Sequence, residues 1–496
     1  MGRILRTAGL LAWLLALPGS ASGQAKNTTP IGGRASLSGD TGVALGRDGS
    51  APFSNPATIV RIHDAQLALS ANLYAFSSNR LDAFHRPVAV DATRFPALQF
   101  KDTAATDNTL DILPSTVCFF FNPTSIAEGD VDGDFHDEER TTKPGRNKAA
   151  FCIGNVDRRE IGLPALDYRA LAPLALTQQV GTFVQKWQRW HSGPSFAMNV
   201  TSRFAVGVSV HGVYTYSTYN QTIGTVTTGG PVGATTSTFG GNASGFSIDL
   251  NAILGATYRF GERATVGFSA QLPSIHVFGK MHGNQYETYS DASSQSSSVT
   301  SASGDYSAPP PVRLAAGVGF QPRPDLTLEF DVAYSFPMTR TRSNMHFQTL
   351  SVAGASGGSG ALDRVYETRT QPGYAFMAGG ELFMTPTFSI LGGTSLDLTS
   401  TPPLDATASL GNFTRDRTSR FSLSAGIGSY GNGTELLIGT QLYYGWGEAL
   451  VTNPYVVPNG NAIVGMNQFG ALIILAGSTS IGSVKRAVKD VQNIVK

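Results

Sequence analysis

Between residues 326 and 336 the chain alternates with a period of two. Leu326, Leu328, Phe330, Val332, Tyr334 and Phe336 share one face; Thr327, Glu329, Asp331, Ala333 and Ser335 share the other. That is a strand with an apolar and a polar side, and two carboxylates on the polar side require a wet or hydrogen-bonding environment. The period returns at 248–260, where Ile248, Leu250, Leu254, Tyr258 and Phe260 align, and again at 421–427 and 436–446. Beyond the N-terminal segment no run of about 18 apolar residues offers a membrane helix. If this chain crosses a membrane it does so as a closed barrel, because only helices and barrels satisfy every backbone polar group in lipid.

The connections agree. Short turns at 201–203, 261–263, 321–325, 384–387 and 431–433 alternate with long polar connections at 217–245, 273–311, 337–372, 399–419 and 447–464. Outer-membrane barrels place short turns in the periplasm and long loops outside. Strands are expected near 67–77, 81–90, 112–121, 194–200, 204–216, 246–260, 264–272, 312–320, 326–336, 374–383, 388–396, 420–430, 434–446 and 465–477. The fold class is therefore an all-β transmembrane antiparallel β-barrel of about 14 strands, over 66–480, in the outer membrane of a Gram-negative cell. Aromatic pairs near strand ends, such as Tyr214 with Tyr216 and Tyr444 with Trp446, suit an interfacial girdle.

Composition permits this: 56 Gly, 28 Phe and 16 Tyr with only 14% charged residues. Residues 1–23 read as a secretory signal, with Arg3 and Arg6 before an apolar run and small residues at the end. Removing those two arginines from the 36 basic residues leaves one fewer than the 35 acidic ones, and nothing suggests a nucleic-acid partner. Residues 483–496 read as a short amphipathic C-terminal helix.

Ahead of the first strand, 24–65 shows neither helix nor strand periodicity. Its glycines can pack closely on a wall, Pro56 fixes one φ, and the Asn55 side chain can bond nearby backbone. The plain alternative is a linker with a chance turn. The stretch GGRASLSGDTGVALGRDGSAPFSNPATI, with Gly33-Arg34-Ala35, Ser38-Gly39 and Asn55-Pro56-Ala57, resembles the N-terminal hatch of the FadL/TodX family of outer-membrane transporters for long-chain fatty acids and other hydrophobic compounds. The resemblance implies a fourteen-strand barrel plugged by this segment, with Asn55, Pro56, Ala57, Phe53 and Gly33 as gate residues. It also implies a hydrophobic ligand such as a fatty acid, exit sideways into the membrane, and a monomer among outer-membrane lipids.

The largest connection, 122–193, is expected to be extracellular and partly helical. After Pro173, Leu176, Val180, Phe183, Val184, Trp187 and Trp190 recur at helical spacing, which suits packing among loops or capture of a greasy ligand. Asp130, Asp132, Asp134 and Asp137 resemble a calcium loop, although the glycine is misplaced for an EF-hand; a solvated acidic loop is the alternative. Otherwise no cofactor is implied. Cys118 and Cys152 flank that loop, and in an exported chain a disulfide between them is the default against two free thiols. His191-Ser192 and His211 with Ser209 lack any supporting catalytic motif, so no enzyme is expected. A passive transporter of hydrophobic molecules is the leading reading, beside a structural or adhesin-like barrel and a water-filled porin.

Overall fold

The computed structural model describes residues 29–62, 66–82, 104–122, 146–172, 175–230, 233–353, 356–404, 416–431, 433–452 and 461–480. The expected signal and C-terminal helix lie outside them, as do the four candidate calcium aspartates and all but the start of the strand expected at 81–90.

One antiparallel sheet holds β1 Gln66–Leu81, β2 Ala105–Phe121, β3 Asn147–Ala172, β4 Ala175–Asn199, β5 Phe204–Gly230, β6 Gly233–Phe260, β7 Ala264–Gln271, β8 Ile275–Ser290 and β9 Gln295–Tyr306. It continues with β10 Arg313–Arg323, β11 Leu326–Ser335, β12 Met338–Ala353, β13 Ser356–Thr370, β14 Gly373–Thr385, β15 Phe388–Leu398, β16 Arg417–Gly431, β17 Thr434–Thr452 and β18 Asn461–Ser480. Fourteen of these close a barrel: β1 to β7, β10, β11 and β14 to β18, with Gln66 of β1 opposite Ser480 of β18. The other four stand above it. β8 pairs with the upper part of β6, β9 with β8, β12 with β9 and β13 with β12.

Much of the long polar connections at 217–245, 273–311 and 337–372 is therefore sheet. These serine-, threonine- and glycine-rich strands lack the apolar alternation that marks a strand in lipid, and backbone pairing holds them.

The count of fourteen stands, but its membership changes, since β3 lies inside the region read as a loop. The expected partly helical stretch is likewise strand: Leu176, Val180, Phe183, Val184, Trp187 and Trp190 all lie on β4, which pairs with β3 on one side and β5 on the other. Partners on both edges override a helical spacing of apolar residues, and aromatic and β-branched residues suit a pleated surface. Alternation then separates the stripe, burying Trp187 while Trp190 on the opposite face stays half-buried. An extra strand also reverses direction. The acidic segment leaves β2 and enters β3 at the rim of the tight turns, where Phe121 faces Ala149 and Asn147 faces Met198, so it joins strands at the periplasmic rim and not the extracellular one.

The wall is inside-out, as lipid requires. On β17, Leu436 is 54% exposed and Trp446 40%, while Leu437 is 2% exposed toward the lumen. Aromatics cluster near strand ends: Tyr334 touches Phe336 and Tyr374, and Tyr258 touches Phe260 near the turn side. Residues 29–62 fill the lumen as short helices α1 (Gly33–Leu37) and α2 (Ala51–Ser54) and a 3-10 turn (Pro56–Arg61), nearly all buried.

Candidate functional site

Asn55 is the knot of this plug. Its Oδ1 accepts from the Ala57 amide at 3.1 Å, capping the 3-10 turn that Pro56 opens, and its Nδ2 donates to the Val43 carbonyl at 2.6 Å and the Ala256 carbonyl of β6 at 3.2 Å. One side chain thus ties the turn, the preceding loop and the wall together. The wall makes room with glycine: a Cβ at Gly255 of β6 would overlap the Asn55 amide oxygen, and one at the facing Gly207 of β5 would come within 2.5 Å of the Ala57 nitrogen. Gly33, the first residue of α1, lies so close to Ala476 of β18 and Leu437 of β17 that no side chain fits.

Charge holds the rest. On β11, the Asp331 carboxylate accepts from the amides of Gly42 and Val43 at 2.8 and 3.0 Å, and Glu329 from those of Ala44 and Leu45 at 2.6 and 3.0 Å. The two acids that alternation turned to the lumen are the clamps of the hatch loop. Opposite them, Arg34 of α1 pairs with Glu381 of β14, with Glu435 of β17 at 2.8 Å and with the Tyr430 hydroxyl at 3.0 Å, while Arg47 reaches Glu381 at 2.9 Å. The sequence offers Arg34 only as part of the Gly33-Arg34-Ala35 resemblance, with no partner, and does not single out Glu381, Tyr430 or Glu435; the usable signal was the glutamates placed on inward strand positions. Lys148 of β3, fully buried, donates to the Ile62 carbonyl at 2.6 Å where the hatch enters β1.

The hatch separates two chambers. Above it, about 60 Å³ is lined by Ile31, Val43, Phe53, Ala315, Ala333 and Met377, with Asp40, Arg313 and several hydroxyl side chains as its polar part. Below it, about 50 Å³ is lined by Arg34, Arg47, Arg61, Glu329, Glu381 and Asp48. The upper chamber is largely greasy and the lower one is charged.

The disulfide links Cys118 and Cys152, directly opposite each other on β2 and β3, with both side chains buried in the apolar cluster under Phe53. Just above it the wall parts. β2 and β3 pair only from Thr116 opposite Gly154 down to Phe121 opposite Ala149; beyond that, among the described residues, β2 pairs only with β1 and β3 only with β4. The β3 register slips between Asn155 and Asp157, and farther up the Glu160 carbonyl lies 3.5 Å from Asn79 Nδ2 on β1. Phe53 sits at the foot of this seam: a Cβ on Gly154 would come within 2.8 Å of its ring. Its ring also stacks on His211, with His191 nearby. Both histidines face the lumen as wall residues, and the Ser209 hydroxyl bonds Ser195 at 2.7 Å.

A closed barrel with an apolar outer band and a charge-clamped lumenal plug defines a plugged outer-membrane β-barrel. No protein-family model matches the chain, and no curated protein matches it significantly. Its fold is similar to that of a Pseudomonas aeruginosa FadL homologue, at 14% identity and a TM-score of 0.50, covering 92% of this chain and 99% of that one. It is equally similar to the Pseudomonas putida toluene transporter TodX, at 12% identity and 0.50 over 92% and 100%. The CymD monoaromatic hydrocarbon channel follows at 13% identity and 0.50 over 91% and 97%.

Proposed function

We propose that this protein is a passive outer-membrane transporter that takes up hydrophobic molecules past a movable hatch. The observation that carries the reading is the juxtaposition of a greasy chamber above the hatch, a charged one beneath it, and an open seam between β2 and β3 at the level of Phe53. An apolar ligand gains about 25 cal/mol for each Å² it withdraws from water, so it collects in the upper chamber without an energy source. The charged floor rejects it, and the seam offers a way sideways into the bilayer. A chamber of about 60 Å³ is smaller than the roughly 150 Å³ cavity known to accept benzene, so passage requires the hatch to shift.

Long-chain fatty acids are the ligand that the sequence resemblance suggests, and the similar folds include transporters of toluene and monoaromatic hydrocarbons. The test expresses the full chain in a host stripped of its own hydrophobic-uptake barrels and follows initial uptake of labelled oleate and toluene. Uptake severalfold above the empty vector is expected for at least one of them. Background rates for both would end the proposal, and vesicles that swell freely in small sugars would identify a porin instead.

A further inference from the structure

The slot around the Phe53 ring is built to hold an aromatic ring, and it has a polar lining that phenylalanine does not use. The ring stacks on His211 with centroids 5.1 Å apart and planes at 23°, His191 lies tilted at 6.4 Å, and Gly154 and Thr116 close the side toward the wall. The two imidazoles are 5.6 Å apart and are 4% and 0% exposed. None of their four ring nitrogens has a hydrogen-bond partner. The neighbouring Ser195 and Ser209 hydroxyls bond each other at 2.7 Å, so they do not serve the imidazoles. Buried polar atoms are ordinarily paired, and an imidazole left unpaired against a benzyl group is a site waiting for a polar partner. Phe53 also lines the upper chamber, so moving α2 would join the slot to it.

We propose that Phe53 is a tethered stand-in for the ligand, and that when the hatch shifts this slot takes a single aromatic ring bearing a hydroxyl group. The ring replaces the phenyl on His211, and the hydroxyl, at once donor and acceptor, bonds the tilted His191 in either tautomer. A hydrocarbon of the same size fills the slot but leaves the nitrogens unpaired. The inference rests on the uptake reading and narrows its ligand to phenols over plain hydrocarbons.

p-Cresol and toluene, which differ by that hydroxyl, are the probes. Equilibrium binding of each in labelled form is measured on the purified full-length protein in detergent, with folding checked by heat-modifiable gel migration. The wild type should bind p-cresol about tenfold more tightly than toluene, the scale of one buried hydrogen bond. Phe53→Ala should strengthen both by vacating the slot. The double variant His191→Leu/His211→Phe should lose the preference and bind the two probes with equal affinity. Equal binding of the two probes in wild type and Phe53→Ala, or a preference that survives in the double variant, overturns the proposal. Normal uptake in cells without a cresol preference would remove this slot alone, whereas a clear preference in a protein that transports neither oleate nor toluene would remove the uptake reading.

Discussion

Asn55 makes three hydrogen bonds with one amide, to two different parts of the hatch and to the wall. Asn55→Ala removes the partners of the Val43 carbonyl and the Ala57 amide at a cost of about 1–3 kcal/mol, and each 1.4 kcal/mol is tenfold in the ratio of open to closed hatch. Planar-bilayer recordings should show open events at least severalfold more often than wild type, and an unchanged record would mean that this amide is no latch. Gly255→Ala attacks the same contact from the wall side. It should raise conductance while leaving the barrel intact on a heat-modifiability gel, because the added methyl meets the Asn55 amide and not another strand. Arg34→Met should act more strongly than either. It leaves Glu435 without its arginine and Glu381 with Arg47 alone in a buried site, where losing one partner costs about 3–5 kcal/mol.

Among the elements, the lipid-spanning strands were legible because lipid and water on opposite faces impose alternation, as in 326–336 and 436–446. β3 was not. Its Phe151 and Ile153 face outward and are 48% and 42% exposed, yet they are flanked by charged and glycine-containing sequence that reads as loop. The hatch was legible as a segment and as a motif around Asn55, but its partners were not, since contacts such as Arg34 with Glu381 join residues far apart in the chain. The pairing of Cys118 with Cys152 was anticipated from compartment alone, and the structure adds that it joins neighbouring strands below the open seam. On loop-closure entropy, a bridge across 34 positions stabilises by about 3–4 kcal/mol. The double variant Cys118→Ala/Cys152→Ala should therefore unfold at lower guanidinium concentration in detergent, and an equal midpoint would show that the strand pairing suffices without it.

Across the whole molecule, the hatch separates a largely greasy chamber from a charged one, so the barrel should behave as a closed pore toward polar solutes. Liposomes carrying the intact protein should swell in small sugars no faster than empty ones. A chain lacking residues 24–59 should let sugars pass at porin-like rates, and if it stayed sealed, something other than this segment would be blocking the lumen. The grip on the hatch is also spread around the ring in a telling way. Its 3-10 turn lies on β4, β5 and β6, whereas α1 lies on β17 and β18, with Gly33 against Ala476. The stretch synthesised ahead of the whole wall is thus secured by the strands synthesised last. The 3-10 turn can find its partners once β6 exists, but α1 has nowhere to rest before β17 and β18 are in place, so the stopper finishes seating only with the last strands of the wall.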